Sequence, residues 1–239
     1  MKKTINVVFC LAVEGSRFIA ENYTIPKYLL NSKAKTILHE IIYNINKKEY
    51  CSFYFIINSR HKKYLAQIND TIKQFNIDFD IIITDDTRGQ AHTAYIACKK
   101  INNNNPVFIF NGDTIIINRD LNFMTSQMTD FKISGYIDAF KSKKSHFSYV
   151  IIDDNLELIQ IKEKIVVSDL ATSGLYAFVS ANLYRKYYKK LKTDKEEYIS
   201  DVYNKMLSDN LRIKINIAEN DSDTIVLGTP VEYKKWLND

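Results

Sequence analysis

The chain reads as an α/β protein built on an open, mostly parallel sheet, and three observations predict that class. Short apolar runs bounded by turn signals alternate with amphipathic stretches at helical spacing over the first 110 or so residues, the βαβαβ repeat of parallel sheets. The second half changes character and carries a hairpin pattern. The 239 residues contain only six glycines, and Gly15, Gly89, Gly112 and Gly174 fall at strand ends or breaks, where a backbone needs positive φ or a close approach.

The elements follow in order. Val7 to Ala12 is apolar except for Cys10 and reads as a strand buried on both faces. Thr36 can cap a helix running to Asn46, with Ile37, Leu38, Ile41, Ile42 and Ile45 on one stripe. Phe53 to Ile57 is the second strand, His61 to Phe75 the second helix, and Phe79 to Ile83 the third strand. Thr84 to Ala91 is a polar turn before a helix that reaches Ile101. After Asn102–Pro106 comes another apolar strand, Val107 to Phe110, which stops at Asn111-Gly112-Asp113.

Ile133 to Phe140 and Phe147 to Ile152 read as strands. Asp154-Asn155 turns the chain into Leu156 to Ile161. Ala171 to Phe178 is a further strand, interrupted at Ser173-Gly174. Helices over 181–191 and 196–208, a strand from Arg212 to Ile217, and a C-terminal helix opened by Pro230 and carrying Trp236 complete the chain. No linker separates the halves. The expectation is one domain over 1–239, in two halves, 1–130 and 131–239.

Composition excludes several function classes. Apolar residues make up 46% and charged residues 26%, with a formal net charge of +5, the profile of a soluble globular protein. No apolar run reaches the roughly 18 residues of a membrane span, and the basic start Met1-Lys2-Lys3 leads into a strand and not a signal peptide. Cys10, Cys51 and Cys98 form no CxxC pair and suit buried free thiols in the cytoplasm. His39, His61, His92 and His146 lack metal-ligand spacing. There is no nucleic-acid motif, no GxSxG, no Walker A and no GxGxxG. The sequence is silent on oligomeric state.

The organising stretch is Asn6 to Leu30. Its strand breaks into Glu14-Gly15-Ser16-Arg17, where small residues let backbone N–H groups approach a phosphate and Arg17 adds charge. Ten residues later Pro26 stiffens the segment that presents Lys27. In open sheets ligands bind beyond the carboxyl ends of the strands, where Gly15, Gly89 and Gly112 arrive together. Asp113, thrown out at the same edge, is an oxygen ligand of the type Mg²⁺ takes beside substrate phosphates. Lys27 and Lys164 are candidates for neutralising a pentavalent phosphorus, and His146 is a candidate for facing an acceptor. Taken singly, each has a bland reading as a turn aspartate, a surface lysine or a capping histidine.

Seven motifs in one order resemble the nucleotidylyltransferases of nucleotide-sugar synthesis. They are Leu11-Ala12-Val13-Glu14-Gly15-Ser16-Arg17-Phe18, Pro26-Lys27-Tyr28-Leu29-Leu30, Gly89-Gln90-Ala91, Asn111-Gly112-Asp113, Glu163-Lys164, Ser173-Gly174-Leu175-Tyr176 and Gly228-Thr229-Pro230. Within that family the compact length, Gly89-Gln90-Ala91, Ser145-His146-Phe147-Ser148 and Leu227-Gly228-Thr229-Pro230 are most similar to capsule-cluster CTP:phosphoglutamine cytidylyltransferases, which serve the phosphoramidate decoration of capsules.

The resemblance implies a three-layer α/β/α, Rossmann-like mixed and mostly parallel sheet of the glycosyltransferase-A-like kind. It implies transfer of a nucleotidyl group from CTP to a small phosphorylated acceptor, with Mg²⁺ as cofactor and pyrophosphate released. Lys27, Arg17 and Asp113 would be catalytic. Leu11, Ala12, Glu14, Gly15, Ser16, Arg17, Gly89, Gln90, Ala91 and Gly112 would hold the nucleotide. His146, Glu163, Lys164, Ser173 and Gly174 would line the acceptor side. Asp113 would bind the metal, with Asp223 as second ligand.

Two departures from the family pattern stand out. Val13 adds a Cβ where the pattern has glycine, and Val226 occupies the position two before Gly228 where the second metal carboxylate is usually found. Three rival readings follow. One is a sugar-1-phosphate or phosphocholine enzyme. A second is a metal-dependent glycosyltransferase, which the missing Asp-x-Asp after Asp113 opposes. The third is a silent nucleotide-binding protein.

Overall fold

The computed structural model describes residues 4–13, 15–33, 35–46, 48–130, 132–192 and 194–238. In chain order the elements are β1 (Ile5–Leu11), α1 (Ser16–Ala20), β2 (Asn31–Ser32), β3 (Lys35–Thr36), α2 (Ile37–Tyr43), β4 (Cys51–Asn58), α3 (Leu65–Lys73), β5 (Asp78–Thr84), α4 (Gln90–Lys100), β6 (Val107–Asn111) and β7 (Thr114–Ile116). They continue with α5 (Leu121–Asp130), β8 (Gly135–Lys141), β9 (Ser148–Ile152), β10 (Leu158–Glu163), β11 (Leu170–Phe178), α6 (Ala181–Tyr188), α7 (Ile199–Ser208), β12 (Ile213–Ile217), β13 (Thr224–Val226) and α8 (Pro230–Asn238).

Nine strands form one sheet in the order β10-β9-β11-β6-β1-β4-β5, with β8 also on β11 and β12 on β8. The β6-β1-β4-β5 block is parallel throughout. β11 runs against β6, β8 and β9, β10 runs against β9, and β12 is parallel to β8. Only β10 and β11 therefore oppose the other strands of the nine. This is the mixed, mostly parallel α/β sheet that the sequence predicts.

β1 shows why both faces need cover. Val7, Phe9 and Leu11 enter one core, where Phe9 stacks on Phe55 at 4.8 Å and tilts against Phe110. Val8, Cys10 and Ala12 enter the other, with Ala94, Ala97, Tyr184 and Tyr203. Strand alternation thus splits one apolar run between two helical layers. All three cysteines are buried free thiols. No helix among the described residues is long and apolar enough to cross a membrane.

Boundaries shift where local chemistry ends an element. Thr36 caps α2 by accepting from the His39 amide at 3.1 Å, but the helix stops at Tyr43 and not Asn46. The stretch expected to open the second helix at His61 is a 3₁₀ turn, Ser59–Tyr64. α7 begins at Ile199, three residues after the expected start, because Glu197 is bound into the turn before α4. The sequence reading left α1, α5 and the β2–β3 and β7–β13 ribbons unassigned. For α5 the signal was present: the Asp120 carboxylate accepts from the amides of Asn122 and Phe123 ahead of buried Leu121, Met124 and Met128.

Candidate functional site

A cleft of about 360 Å³ opens at the carboxyl ends of β1 and β6, and β11 and the β9–β10 hairpin wall its far side. Four walls deliver its chemistry. The turn after β1 supplies Val13, Gly15, Ser16 and Arg17. Gly15 sits at φ 69° with open space where a Cβ would be, so its left-handed backbone and not crowding asks for glycine. Its carbonyl accepts from the amides of Phe18 and Ile19, which starts α1. Arg17 has no hydrogen-bond or ion-pair partner among the described residues.

Lys27 begins the 3₁₀ turn Lys27–Leu29, anchored by buried Tyr28 and Leu29. Its ammonium forms an ion pair with the carboxylate of Asp113, the two side chains being 13% and 17% exposed. Asp113 lies in the turn between β6 and β7, and its carbonyl accepts from the Leu227 amide at 2.8 Å. Gly228 packs beside the carboxylate, with its Cβ position 3.4 Å from Oδ2.

On the floor the Gln90 amide bonds Asn111. Asn111 also touches the position a Cβ on Gly174 would fill, and Gly174 has φ 94°. β11 bulges there: its pairing with β8 slips between Thr172 and Tyr176, and Ser173, 2% exposed and accepting from the Leu175 amide at 3.3 Å, backs the cleft lining.

The wall opposite Lys27 and Asp113 carries Glu163 at the end of β10. Its Oε2 accepts from Ser148 and, at 3.0 Å, from Ser200. Burial pushes the Glu163 carboxyl above its ordinary range against the lowering effect of those hydroxyls. Lys164 is held at φ 55°. Its ammonium donates to the Tyr198 hydroxyl at 2.6 Å, lies 4.5 Å from that ring's centre and 3.8 Å from Glu196. Desolvation lowers its pKa, but the Tyr198 and Glu196 contacts outweigh this and raise it. His146 lines the cleft with a buried Nε2 that makes no hydrogen bond to any described residue. Burial lowers its pKa against the pull of Glu232, 3.5 Å away.

A second cleft of about 620 Å³ shares Val13, Gly15, Ser16 and Glu196 with the first and adds Ala12, Thr87, Arg88 and Gly89. Gly89, at φ 128°, is explained by a neighbour in the chain: a Cβ there would lie 2.5 Å from the Glu197 carbonyl oxygen. Glu197 also accepts from the Ala91 amide at 3.0 Å and pairs its carboxylate with Arg88 and Tyr188.

The cleft therefore gathers Gly15, Ser16, Arg17, Lys27, Gln90, Gly112, Asp113, His146, Glu163, Lys164 and Ser173. Ala12 and Gly89 face the adjoining cleft. Leu11 and Ala91 are fully buried. Leu11 packs on Gly112, and the Ala91 amide and carbonyl are taken by Glu197 and Tyr184, so neither lines either cleft. Gly174 stands behind Asn111, giving room and not contact. Glu14 lies outside the described residues.

Asp223 does not come to the cleft. It accepts from Asn118 and Asn220, each at 3.4 Å, and its carbonyl binds the Ile117 amide. The β13–β7 register sets Val226 opposite Thr114 and Thr224 opposite Ile116. Asp223 thus falls about 10 Å or more along the ribbon from Asp113, at roughly 3.3 Å per residue.

Val226 lines the cleft beside Asp113. The donor set for a divalent ion is one carboxylate, and no cluster of three ligating side chains occurs among the described residues. That fits Mg²⁺, which completes its shell with water and substrate phosphates, but not a metal caged by protein alone. The residues the sequence reading missed are Asn111, Phe147, Tyr176, Glu196, Glu197 and Tyr198. The Glu196-Glu197-Tyr198 run looks like a helix start and carries no local sign of its extended path.

A family model described as nucleotidyl transferase matches residues 14–235. No curated protein matches the chain. Among solved structures, the nucleoside-diphosphate-sugar pyrophosphorylase of Vibrio cholerae RC9 is 24% identical and superposes with a TM-score of 0.84 over 98% of this chain and 100% of that one. A Bacillus anthracis protein described as a glucose-1-phosphate thymidylyltransferase, solved with sucrose, is 18% identical with a TM-score of 0.83 over 100% and 94%. A UDP-glucose pyrophosphorylase complexed with UDP-glucose is 18% identical with a TM-score of 0.79 over 100% and 98%. Identities this low establish the shared fold.

Proposed function

Because the chain belongs to the nucleotidyl transferase family, we propose that it transfers a cytidylyl group from CTP to phosphoglutamine in the cytoplasm. The product would be a CDP-linked precursor for phosphoramidate modification of a capsular polysaccharide. The observation that carries the reading is a single cleft with Arg17, Lys27 and Asp113 on one side and Glu163, Lys164 and Ser173 on the other. The narrower choice of CTP and acceptor rests on Gly89-Gln90-Ala91, Ser145–Ser148 and Leu227–Pro230.

An anionic oxygen of the acceptor attacks the α-phosphorus. The bond to the β-phosphate bridging oxygen breaks, and pyrophosphate leaves with that electron pair. The attacking oxygen is already ionised, so the chain needs no general base, and its contribution is positioning and charge neutralisation. Arg17 and the Gly15–Ser16 backbone bind the triphosphate, and Lys27 bridges phosphates once its Asp113 partner is engaged elsewhere. Mg²⁺, held by Asp113 with water and phosphate oxygens, would supply further charge neutralisation. Lys164 receives the acceptor phosphate, and Gln90 with Asn111 fixes the floor.

The names of the structural relatives favour a second reading, a sugar-1-phosphate acceptor with UTP or dTTP. Val13, which lines both clefts, motivates a third, a nucleotide-binding protein without turnover. Pyrophosphate release with Mg²⁺, crossing CTP, UTP, ATP, GTP and dTTP with phosphoglutamine, phosphocholine and sugar-1-phosphates, separates them. Turnover with CTP and phosphoglutamine alone is expected. Turnover with another pair replaces the substrates, and nucleotide binding without turnover by any pair selects the silent protein.

A further inference from the structure

Three segments meet at the cleft around Glu232. The loop between β8 and β9 brings Lys144 and His146, α8 brings Glu232 itself, and the turn before α8 sets Gly228 against the Asp113 carboxylate. Glu232 Oε2 accepts from the Thr229 hydroxyl at 3.0 Å. Its Oε1 lies 2.8 Å from the Lys144 ammonium and 3.5 Å from His146 Nε2. His146 is thus linked to Asp113 through the short run from Gly228 to Glu232.

The two ring nitrogens of His146 differ. Nε2 is enclosed against Glu232, whose side chain is 12% exposed. Nδ1 is not enclosed and makes no hydrogen bond to any described residue, while the ring lines the cleft and leans on Phe147 at 4.2 Å. A carboxylate behind one nitrogen orients an imidazole and favours its charged form, which then donates from the other nitrogen. The charged groups that face the ring are Glu232 of α8, Arg17 of α1, Lys144 of its own loop and Asp113 of the β6–β7 turn. Burial, with Arg17 and Lys144, lowers its pKa against the pull of Glu232 and Asp113.

We propose that His146 is a further catalytic residue of the transfer, donating from Nδ1 to the β- and γ-phosphates and to the pyrophosphate as it departs, and that Glu232 is the positioning residue behind it. The proposal rests on the nucleotidyl-transfer reading, and it gives His146 to the leaving group where the sequence suggested the acceptor. Phosphates that engage Arg17 offset the cation opposing the ring's charge, so the ring takes a proton from solvent as the triphosphate binds. That proton stays on the ring, which neutralises charge and transfers nothing.

Calorimetric titration of the whole chain with Mg²⁺ tests it. The ligands are a CTP or UTP analogue whose α and β phosphorus atoms are bridged by methylene, so no transfer occurs, and the matching monophosphate, CMP or UMP. His146→Gln should weaken the analogue about 10-fold at about pH 6, where the ring is charged in the complex, and little at about pH 9, where it is neutral. Ionisation of the analogue is common to both proteins and cancels in the ratio. The monophosphate should bind both proteins alike, which also shows that the variant is folded. Glu232→Gln keeps the side-chain shape and should move the closing of that gap to lower pH, which loss of a merely structural contact would not do.

An analogue affinity untouched by His146→Gln, a loss equal at both pH values, or an equal loss for the monophosphate overturns the proposal. So does a loss confined to glycerol 3-phosphate titrated onto the analogue complex, which would return His146 to the acceptor. Each of these leaves the nucleotidyl-transfer reading standing. Failure of both analogues to bind the wild type overturns that reading, and the role of His146 with it.

Discussion

The ammonium of Lys27 and the carboxylate of Asp113, 86 residues apart in the chain, meet as an ion pair inside the cleft. Each occupies the other's charge, so on the proposed reaction a triphosphate and its cation would have to divide the pair between them. Asp113→Asn is expected to abolish pyrophosphate release. Lys27→Ala should lower kcat by about 100-fold or more, as loss of a transition-state charge contact does. Near-normal rates in either variant would remove these residues from the reaction.

Val13 lines both clefts next to the Gly15 turn. Val13→Gly is expected to keep or raise activity by removing a Cβ where backbone and nucleotide approach. Steady-state kinetics with the preferred nucleotide decide it, and a clear fall in kcat/KM would mean that the valine packs the loop into shape.

Gly89 should be intolerant of a side chain for a structural reason. Gly89→Ala must hold φ near 128° and place a Cβ against the Glu197 carbonyl. Strain of this kind costs about 1–3 kcal/mol. Urea denaturation should show the loss, and full retained stability would show that the Arg88–Ala91 turn can leave Glu197.

Glu163 sets a pH dependence. Its folded pKa is raised by burial, so the folded state holds this proton more tightly than the unfolded chain. Stability from this group is then greatest below the ordinary glutamate range and falls as pH rises from the unfolded pKa through the folded one. Glu163→Gln removes the ionisation. It is expected to raise Tm at pH 7 relative to the wild type, with the gap closing toward pH 4. A variant less stable at pH 7 would show that the serine contacts outweigh the desolvation.

Tyr198 acts on the cleft through Lys164. In Tyr198→Phe the ring remains but the 2.6 Å hydrogen bond to the ammonium is lost. Since that bond is one of the causes that raise the Lys164 pKa, acylation of Lys164 followed by mass spectrometry should titrate at lower pH in the variant. An unchanged profile would show that Glu196 and Glu163 suffice to hold the proton on the ammonium.

Much of this was legible in one dimension. Alternation along Val7–Ala12 foretold a strand covered on both faces, and Asp113 was placed at the sheet edge by its position after an apolar strand. The Ser173-Gly174 interruption marked the bulge in β11 beside the cleft. The misses share a cause. Ala91 looked like a nucleotide contact until Glu197, 106 positions later, took its amide. Asp223 looked like a metal ligand because it is near Gly228 in sequence, but an antiparallel ribbon converts a few residues of sequence into about 10 Å of distance.

The sequence by itself determined the α/β class, the strands of the main sheet and most helices, the glycine turn after β1, and most of the charged residues that line the cleft. Those follow from periodicity and turn chemistry, which act over a few residues. Only the tertiary structure decided which charges meet. It joined Lys27 to Asp113, turned Lys164 to Tyr198, brought Ser148 and Ser200 to Glu163, and set Val226 in the cleft that Asp113 lines. Such pairings depend on strand register and crossover connections that bring distant segments within a few ångströms, and no local pattern encodes them.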